Sequence, residues 1–308
     1  MPIEIKNLTY IYQIGTPFEK CALRDFSLTV SDGEIMGVMG ATGSGKSTLL
    51  QLLNGLLEPA AGTVNIDGRL LNGMKKVELA QLRQRVAMVF QYPEQQIFEE
   101  HVYEEVAFGP INMGLNAPEV ERRVVRALNR VGLEPAVYRN RAAARLSGGE
   151  KRRLAVAGML ALEPRYLLLD EPSAGLDPAV RALLFKSLGE LNRLEKTTII
   201  MVSHHLSDLL SLCERIIVLD KGCLVIDQRT DRLLDRYEQL RQLGIDLTAS
   251  QEVVHLLNHK GWGIAVSPRS PEEAAQLIVE RLLGQGDRSL VPGYGTRDLS
   301  PCPRELGE

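Results

Sequence analysis

Over the first third of the chain, apolar residues fall into short runs broken by glycine and polar turns. These runs predict strands over residues 4–12, 26–30, 34–39, 63–66 and 86–90, punctuated by Gly33, Gly62 and Asp67-Gly68. Residues 44–56 carry a helical pattern. From Tyr103 to Leu162 the strand signals stop and helical spacing takes over, with Pro118 suited to the first turn of a helix running through Arg130. Strands return at 166–169, 198–202, 215–219 and 223–227, with a helix over 178–195 between them. Short apolar strands alternating with helices predict an α/β fold whose mostly parallel sheet is covered on both faces. Beyond Asp231 the pattern changes to amphipathic helices near 251–258 and 271–283, a candidate accessory region. From Gly284 the chain is rich in Gly, Pro, Arg and Asp with few large apolar residues, so a poorly ordered tail is expected. No internal repeat is visible.

One segment carries chemistry on its own. Met36-Gly-Val-Met-Gly-Ala-Thr-Gly-Ser-Gly-Lys-Ser-Thr-Leu-Leu50 places Gly40, Gly45, Lys46 and Ser47 at the spacing of a phosphate-binding loop, between a predicted strand and a predicted helix. Glycines keep side chains away from an anion and permit left-handed backbone angles, so the amides of Thr42, Gly43, Ser44, Gly45 and Thr48 can converge on phosphates at a helix N-terminus. The Lys46 ammonium suits β- and γ-phosphate oxygens, and the Ser47 hydroxyl suits the octahedral shell of Mg²⁺. A nucleoside triphosphate with Mg²⁺ is therefore the expected ligand.

The run Tyr166-Leu-Leu-Leu-Asp-Glu171 ends an apolar strand in two acids. In a parallel sheet, strand C-termini line the ligand crevice, so Asp170 is expected in the Mg²⁺ shell and Glu171 is free to act as general base on water. Gln91 and His204 each follow a predicted strand and can reach the same edge, Gln91 toward Mg²⁺ or water and His204 toward the γ-phosphate. The adjacent His205 leaves that register open by one residue.

Bulk properties narrow the setting. The 308 residues are 44% hydrophobic and 24% charged, with a net charge of −3 and a pI near 6.1. That balance argues against a dedicated nucleic-acid coat. No apolar run approaches the roughly 18 residues that span a bilayer, and the N-terminus lacks the basic and apolar regions of a signal peptide, so a cytoplasmic chain is expected. Cys21, Cys213, Cys223 and Cys302 are scattered without metal-ligand spacing and read as reduced, structural thiols.

Leu146-Ser-Gly-Gly-Glu-Lys-Arg-Arg153 resembles the signature motif of ATP-binding cassette (ABC) proteins. The order phosphate loop, Gln91, signature, Asp170-Glu171, Ser173-Ala-Gly-Leu-Asp177 and His204 is that family's set, covering roughly residues 3–230. The resemblance implies an ABC-type P-loop fold with a parallel core, an antiparallel β subdomain and a helical insertion. The expected boundaries are 1–92 with 164–232 for the ATPase core, 93–163 for the helical subdomain, 233–284 for the accessory region and 285–308 for the tail. It also implies a head-to-tail dimer with ATP sandwiched between subunits. Ser147, Gly148 and Gly149 would then meet the partner's γ-phosphate, Asp177 would align the partner's site, and Tyr12 would stack on adenine, with Tyr10 its neighbour and core packing the rival role for both. Glu171, His204 and Gln91 take the catalytic roles given above. Glu150 stands where many relatives have glutamine.

The stretch from Phe90 to Pro110 (FQYPEQQIFEEHVYEEVAFGP) resembles the ATPase subunits of energy-coupling factor (ECF) transporters, importers of vitamins, cobalt and nickel, and most closely the second of the paired vitamin-system ATPases. By that resemblance the chain sits peripherally at the cytoplasmic face of the membrane. It pairs with itself or a related ATPase, docks on a transmembrane coupling protein, and serves a substrate-binding membrane protein indirectly. Between Arg85 and Arg122 there is no Lys or Arg, while Glu94, Glu99, Glu100, Glu104, Glu105, Glu119 and Glu121 are acidic. Some of Glu94, Glu99 and Glu100 are expected to receive the arginines that the resemblance gives the coupling protein, with Tyr92 and Phe98 adding apolar contact. The alternatives are another ABC transporter class, or a cassette ATPase acting on nucleic acid through Arg122, Arg123, Arg126, Arg130, Arg139, Arg141 and Arg145. A single cassette without a long heptad insertion disfavours the latter, and no nucleic acid is expected.

Overall fold

The computed structural model describes residues 3–284. In chain order the strands are β1 (Ile3–Tyr12), β2 (Lys20–Val30), β3 (Ile35–Met39), β4 (Ala61–Ile66), β5 (Arg69–Leu70), β6 (Val86–Val89), β7 (Tyr166–Asp170), β8 (Thr198–Val202), β9 (Arg215–Asp220) and β10 (Cys223–Arg229). The α-helices are α1 (Lys46–Leu53), α2 (Lys76–Arg85), α3 (Val102–Asn112), α4 (Ala117–Arg130), α5 (Pro135–Tyr138), α6 (Gly148–Leu160), α7 (Pro178–Glu195), α8 (Leu206–Leu212), α9 (Tyr237–Gln242), α10 (Ala249–His259) and α11 (Pro271–Gly284).

Two sheets result. The larger runs β10-β9-β3-β8-β7-β6, parallel except for the β9–β10 hairpin at one edge. Every residue of β3, β6, β7 and β8 is buried, which explains why they are apolar apart from Asp170 and Thr198 at strand ends: a strand covered on both faces has no solvent side to mark with polar residues. The pleat divides them between two cores. Leu167, Leu169, Ile199 and Met201 face the core shared with α3, α4, α6 and α7, whereas Leu168, Ile200, Val202, Met36 and Val38 face α1 and the second sheet. That second sheet is antiparallel, in the order β2-β1-β4-β5.

The insertion between β6 and β7 is helical. In α4, Val120, Val124, Ala127 and Leu128 form the buried stripe, and Asn116 caps the helix by accepting the Glu119 N–H at 3.0 Å. The accessory helices α10 and α11 pack on a small core of Val254, Ile264 and Ala274.

Several expectations need correction. Helix α1 begins at Lys46 rather than 44, because Gly45 holds the left-handed angle φ 107° and keeps Ser44 in the loop. It ends at Leu53. Strand β2 extends back to Lys20. Helix α2 gave no readable period because Leu82 is its only buried residue. The expected tail at 285–308, with Cys302, lies outside the described residues.

Candidate functional site

Strand β3 delivers the phosphate loop and α1 receives it. A Cβ on Gly40 (φ 142°) would stand 2.1 Å from the Leu219 carbonyl oxygen, and one on Gly45 would stand 2.5 Å from that of Ala22. Only glycine lets the loop pass this close to β9 and β2. Lys46 folds back over the loop and donates to the Gly40 and Ala41 carbonyls at 2.7 and 2.9 Å. Burial lowers its pKa, while Glu171 and Asp170 pull the other way. The Ser44 hydroxyl is buried without a hydrogen-bond partner, whereas Thr42 and Gly43 are exposed. A cleft of about 200 Å³ opens here, lined by Tyr12, Lys20, Gly43, Lys46, Ser47 and Thr48. Tyr12 reaches it by pairing its hydroxyl with Thr48 Oγ1 at 3.1 Å, while Tyr10 packs edge-on behind it against the core, which separates the two tyrosines. Lys20 was not foreseen. A lone basic residue at a strand start carries no sequence signal, and only the fold of β2 brings it beside Gly43.

Four parallel strands end along the same edge. Their register aligns Val38 with Val202, Val202 with Asp170, and Leu169 with Val89, so the loop after β3, His204, Asp170-Glu171 and Gln91 emerge together. Asp170 is buried; desolvation raises its pKa, and a hydrogen bond from the Ser47 hydroxyl lowers it. Glu171 adopts φ 55° and donates its N–H to the Val202 carbonyl at 3.1 Å, which turns its side chain into the same edge. Burial, with Asp170 adding, pushes its pKa up to about 7. His204 Nε2 lies 3.4 Å from Glu171 Oε1 but outside hydrogen-bond geometry, so that buried oxygen has no hydrogen-bond partner. Burial and Lys46 lower the His204 pKa. Of the two histidines it is His204 whose ring lies beside Glu171, while the backbone N–H of His205 donates to Ser203 Oγ at the start of α8. Gln91 is exposed and makes no side-chain hydrogen bond among the described residues.

The signature serine caps α6. Ser147 Oγ accepts the Glu150 N–H, and the Glu150 carboxylate accepts the Ser147 N–H at 2.7 Å, a reciprocal capping box to which Tyr138 adds its hydroxyl. A Cβ on Gly148 would meet nothing and one on Gly149 only Leu176 at 3.9 Å, so neither glycine is needed for packing inside the subunit. No hydrogen bond among the described residues joins Ser147–Gly149 to the phosphate loop. Asp177 caps α7, accepting the N–H groups of Ala179 and Val180.

Residues 23–174 match the ABC transporter family. The chain is 45% identical to the energy-coupling factor transporter ATP-binding protein EcfA2 of Symbiobacterium thermophilum, over 92% of this chain and 98% of that protein. It is 39% identical to the protein of the same name from Clostridium perfringens, over 91% and 98%. This chain belongs to the ATP-binding proteins of energy-coupling factor transporters. Among solved structures it resembles cbiO1 from Clostridium perfringens, described as part of the ABC transporter complex cbiONQ (TM-score 0.69, 32% identity, 83% of this chain and 98% of that one). It also resembles the cassette MJ0796 in a dimeric post-hydrolysis state bound to ADP and Pi (TM-score 0.68, 29% identity, 74% and 98%). The fold is that of an ABC ATPase, and the chain is a nucleotide-binding, ATP-hydrolysing subunit.

In this ECF ATPase the two charged surfaces read from sequence turn out differently. Arg122, Arg123, Arg126 and Arg130 interlock with Glu119, Glu163 and Glu195, and Arg139 pairs with Glu121, so most of the arginine cluster is consumed within the fold. Glu94, an expected receiver of outside arginines, is already held by Arg152 at 3.0 Å. Glu105 accepts the N–H groups of Phe98 and Glu99. Glu99 and Glu100 have no cationic partner among the described residues. Beside them Phe98 and Phe108 meet edge to face at 4.7 Å, yet stay 61% and 44% exposed. No described helix is long and apolar enough to cross a membrane.

Proposed function

We propose that this subunit energises import of a vitamin or transition-metal ion by hydrolysing ATP between two cassettes, docked peripherally on a transmembrane coupling protein at the cytoplasmic face. The observation that carries the reading is the convergence of Lys46, Ser47, Asp170, Glu171 and His204 on one sheet edge beside the phosphate loop.

The donor set suits Mg²⁺: the Ser47 hydroxyl and Asp170 carboxylate are hard oxygens already in contact, with Gln91 emerging from the same edge. Bound there, Mg²⁺ would neutralise developing phosphate charge. Lys46 would leave the Gly40 and Ala41 carbonyls for phosphate oxygens. Thr42, Gly43, Ser44, Gly45 and Thr48 offer amides or hydroxyls, and Tyr12 offers its ring to adenine. Glu171, with an oxygen lacking a hydrogen bond and a pKa near 7, would accept a proton from attacking water, and His204 would hold the γ-phosphate. Ser147 caps α6, yet Gly148 and Gly149 have no packing role inside the subunit, which supports use of this helix start as an anion cradle across a dimer interface, with Asp177 as a further contact. The partner is a second copy or a related ATPase.

The exposed Phe98–Phe108 pair with uncompensated Glu99 and Glu100 supports docking of basic, apolar helices from the coupling protein. Consumption of the arginine cluster in internal pairs weighs against nucleic-acid binding. The test is identification of membrane polypeptides that co-purify in mild detergent, together with Ser147→Arg in that complex. Loss of turnover with nucleotide still bound is expected; normal ATPase activity would rule out a shared site.

A further inference from the structure

Helix α10 carries two histidines one turn apart, away from the nucleotide site. The Nε2 atoms of His255 and His259 lie 2.9 Å from each other, with ring centroids 4.4 Å apart and planes at 85°. His255 is half-buried, and His259 is the exposed last residue of α10. His255 lies flat on Tyr237, at 3.3 Å between centroids and 12° between planes. The turn between them is fastened by Asn258, whose amide donates to the Ile264 carbonyl at 2.8 Å while its oxygen accepts the Ile264 N–H at 2.7 Å. Val254, on the inner face, is fully buried in the accessory core.

Two imidazole nitrogens this close cannot both carry protons, since one must present a lone pair to the other. Neutral imidazole is also the form that binds metals. A first-row ion sits about 2.0–2.1 Å from an imidazole nitrogen, so a 2.9 Å separation subtends roughly a right angle. That is the angle between neighbouring positions of an octahedral or square-planar site and is narrower than a tetrahedral one.

We propose that His255 and His259 form a two-histidine chelate for a divalent transition ion of the nickel, copper or cobalt type, with water filling the remaining positions. No third His, Cys, Asp or Glu completes a metal-binding group among the described residues, so the site is open and exchangeable. Hard Mg²⁺ is not its ion. Bridging one turn of α10 fixes His259 to His255 and, through Tyr237, ties α9 to α10, so the metal acts as a clip on the accessory region.

The experiment is calorimetric titration of the full untagged chain with NiCl₂ and with CuCl₂, at neutral pH in a non-chelating buffer without nucleotide. Two variants accompany it: His259→Ala at the exposed position, and His255→Phe, which keeps an aromatic ring on Tyr237. The expected result is a micromolar site whose affinity falls at least about tenfold in each variant, with unchanged circular dichroism and unchanged ATP binding. Nickel should also slow amide exchange in α9 and α10 of the unmodified chain only. An isotherm that is the same with and without the histidines, or no heat at all, would overturn the site and leave the pair as an internal hydrogen bond. The nucleotide-site reading stands either way.

Discussion

Arg152 grips Glu94 with two nitrogens, Nε to Oε2 at 3.2 Å and Nη2 to Oε1 at 3.0 Å. The arginine lies on α6, one turn past the signature glycines, and the glutamate lies just past Gln91. Its Nη1 also stands 3.3 Å from where a Cβ would be at Gly175, in the loop that leads to Asp177. One guanidinium on the signature helix thus reaches two loops, the one after Gln91 and the one before Asp177. A shift of any one of them is felt by the others through a planar group with fixed geometry.

Arg152 is 9% exposed and Glu94 25%, so removing either leaves its partner partly buried and unpaired. Arg152→Ala is expected to lower unfolding free energy by about 1–3 kcal/mol, and Glu94→Gln somewhat less, as read by urea denaturation. The exposed pair Arg229–Asp231 is an internal control, and Arg229→Ala should have no measurable effect.

Glu171→Gln should retain ATP while turnover falls by about 10²-fold or more, measured as steady-state phosphate release beside nucleotide binding. The raised pKa sets a pH profile. The base must be ionised, so kcat/KM, which reports the free protein, should rise with pH through about 7 and flatten above it. Retained turnover in Glu171→Gln would rule out this residue as the base.

The same shift has a stability consequence. An ordinary carboxylate releases its proton near pH 4.3, whereas folded Glu171 holds it to about 7. Between those values the folded state binds more protons than the unfolded one, so stability falls as pH rises through that window. Glu171→Gln should therefore stabilise the nucleotide-free protein by about 1–3 kcal/mol near pH 8 and have little effect near pH 4.5. Denaturation midpoints at the two pH values decide the point; equal shifts at both would mean burial does not penalise the charge.

Reversing Glu99 and Glu100 to lysine should reduce recovery of the membrane partner in mild detergent at least about tenfold while leaving ATP binding and folding intact. Glu94→Lys should act differently, through lost stability, because its carboxylate is committed to Arg152. Unchanged recovery with both reversed would remove the acidic segment from the docking surface.

Much of the fold was legible because backbone geometry is local. The strand over 198–202 and the helix over 178–195 coincide with β8 and α7, since unbroken apolar runs and a proline in the first helical turn have few other solutions. Helix α2 was not legible: a helix that buries a single leucine leaves almost no period in its sequence.

The sequence by itself determined the phosphate loop, the acidic strand end and the capped signature, because each depends on residues a few positions apart whose spacing meets fixed backbone angles. Tertiary structure decided that His204 rather than His205 faces Glu171, and that Tyr12 rather than Tyr10 reaches the cleft. It also committed Glu94 to Arg152, 58 residues away. Those choices rest on strand register and on how separate elements pack, where a rotation of one residue exchanges which side chain is inside, and no short-range pattern records that outcome.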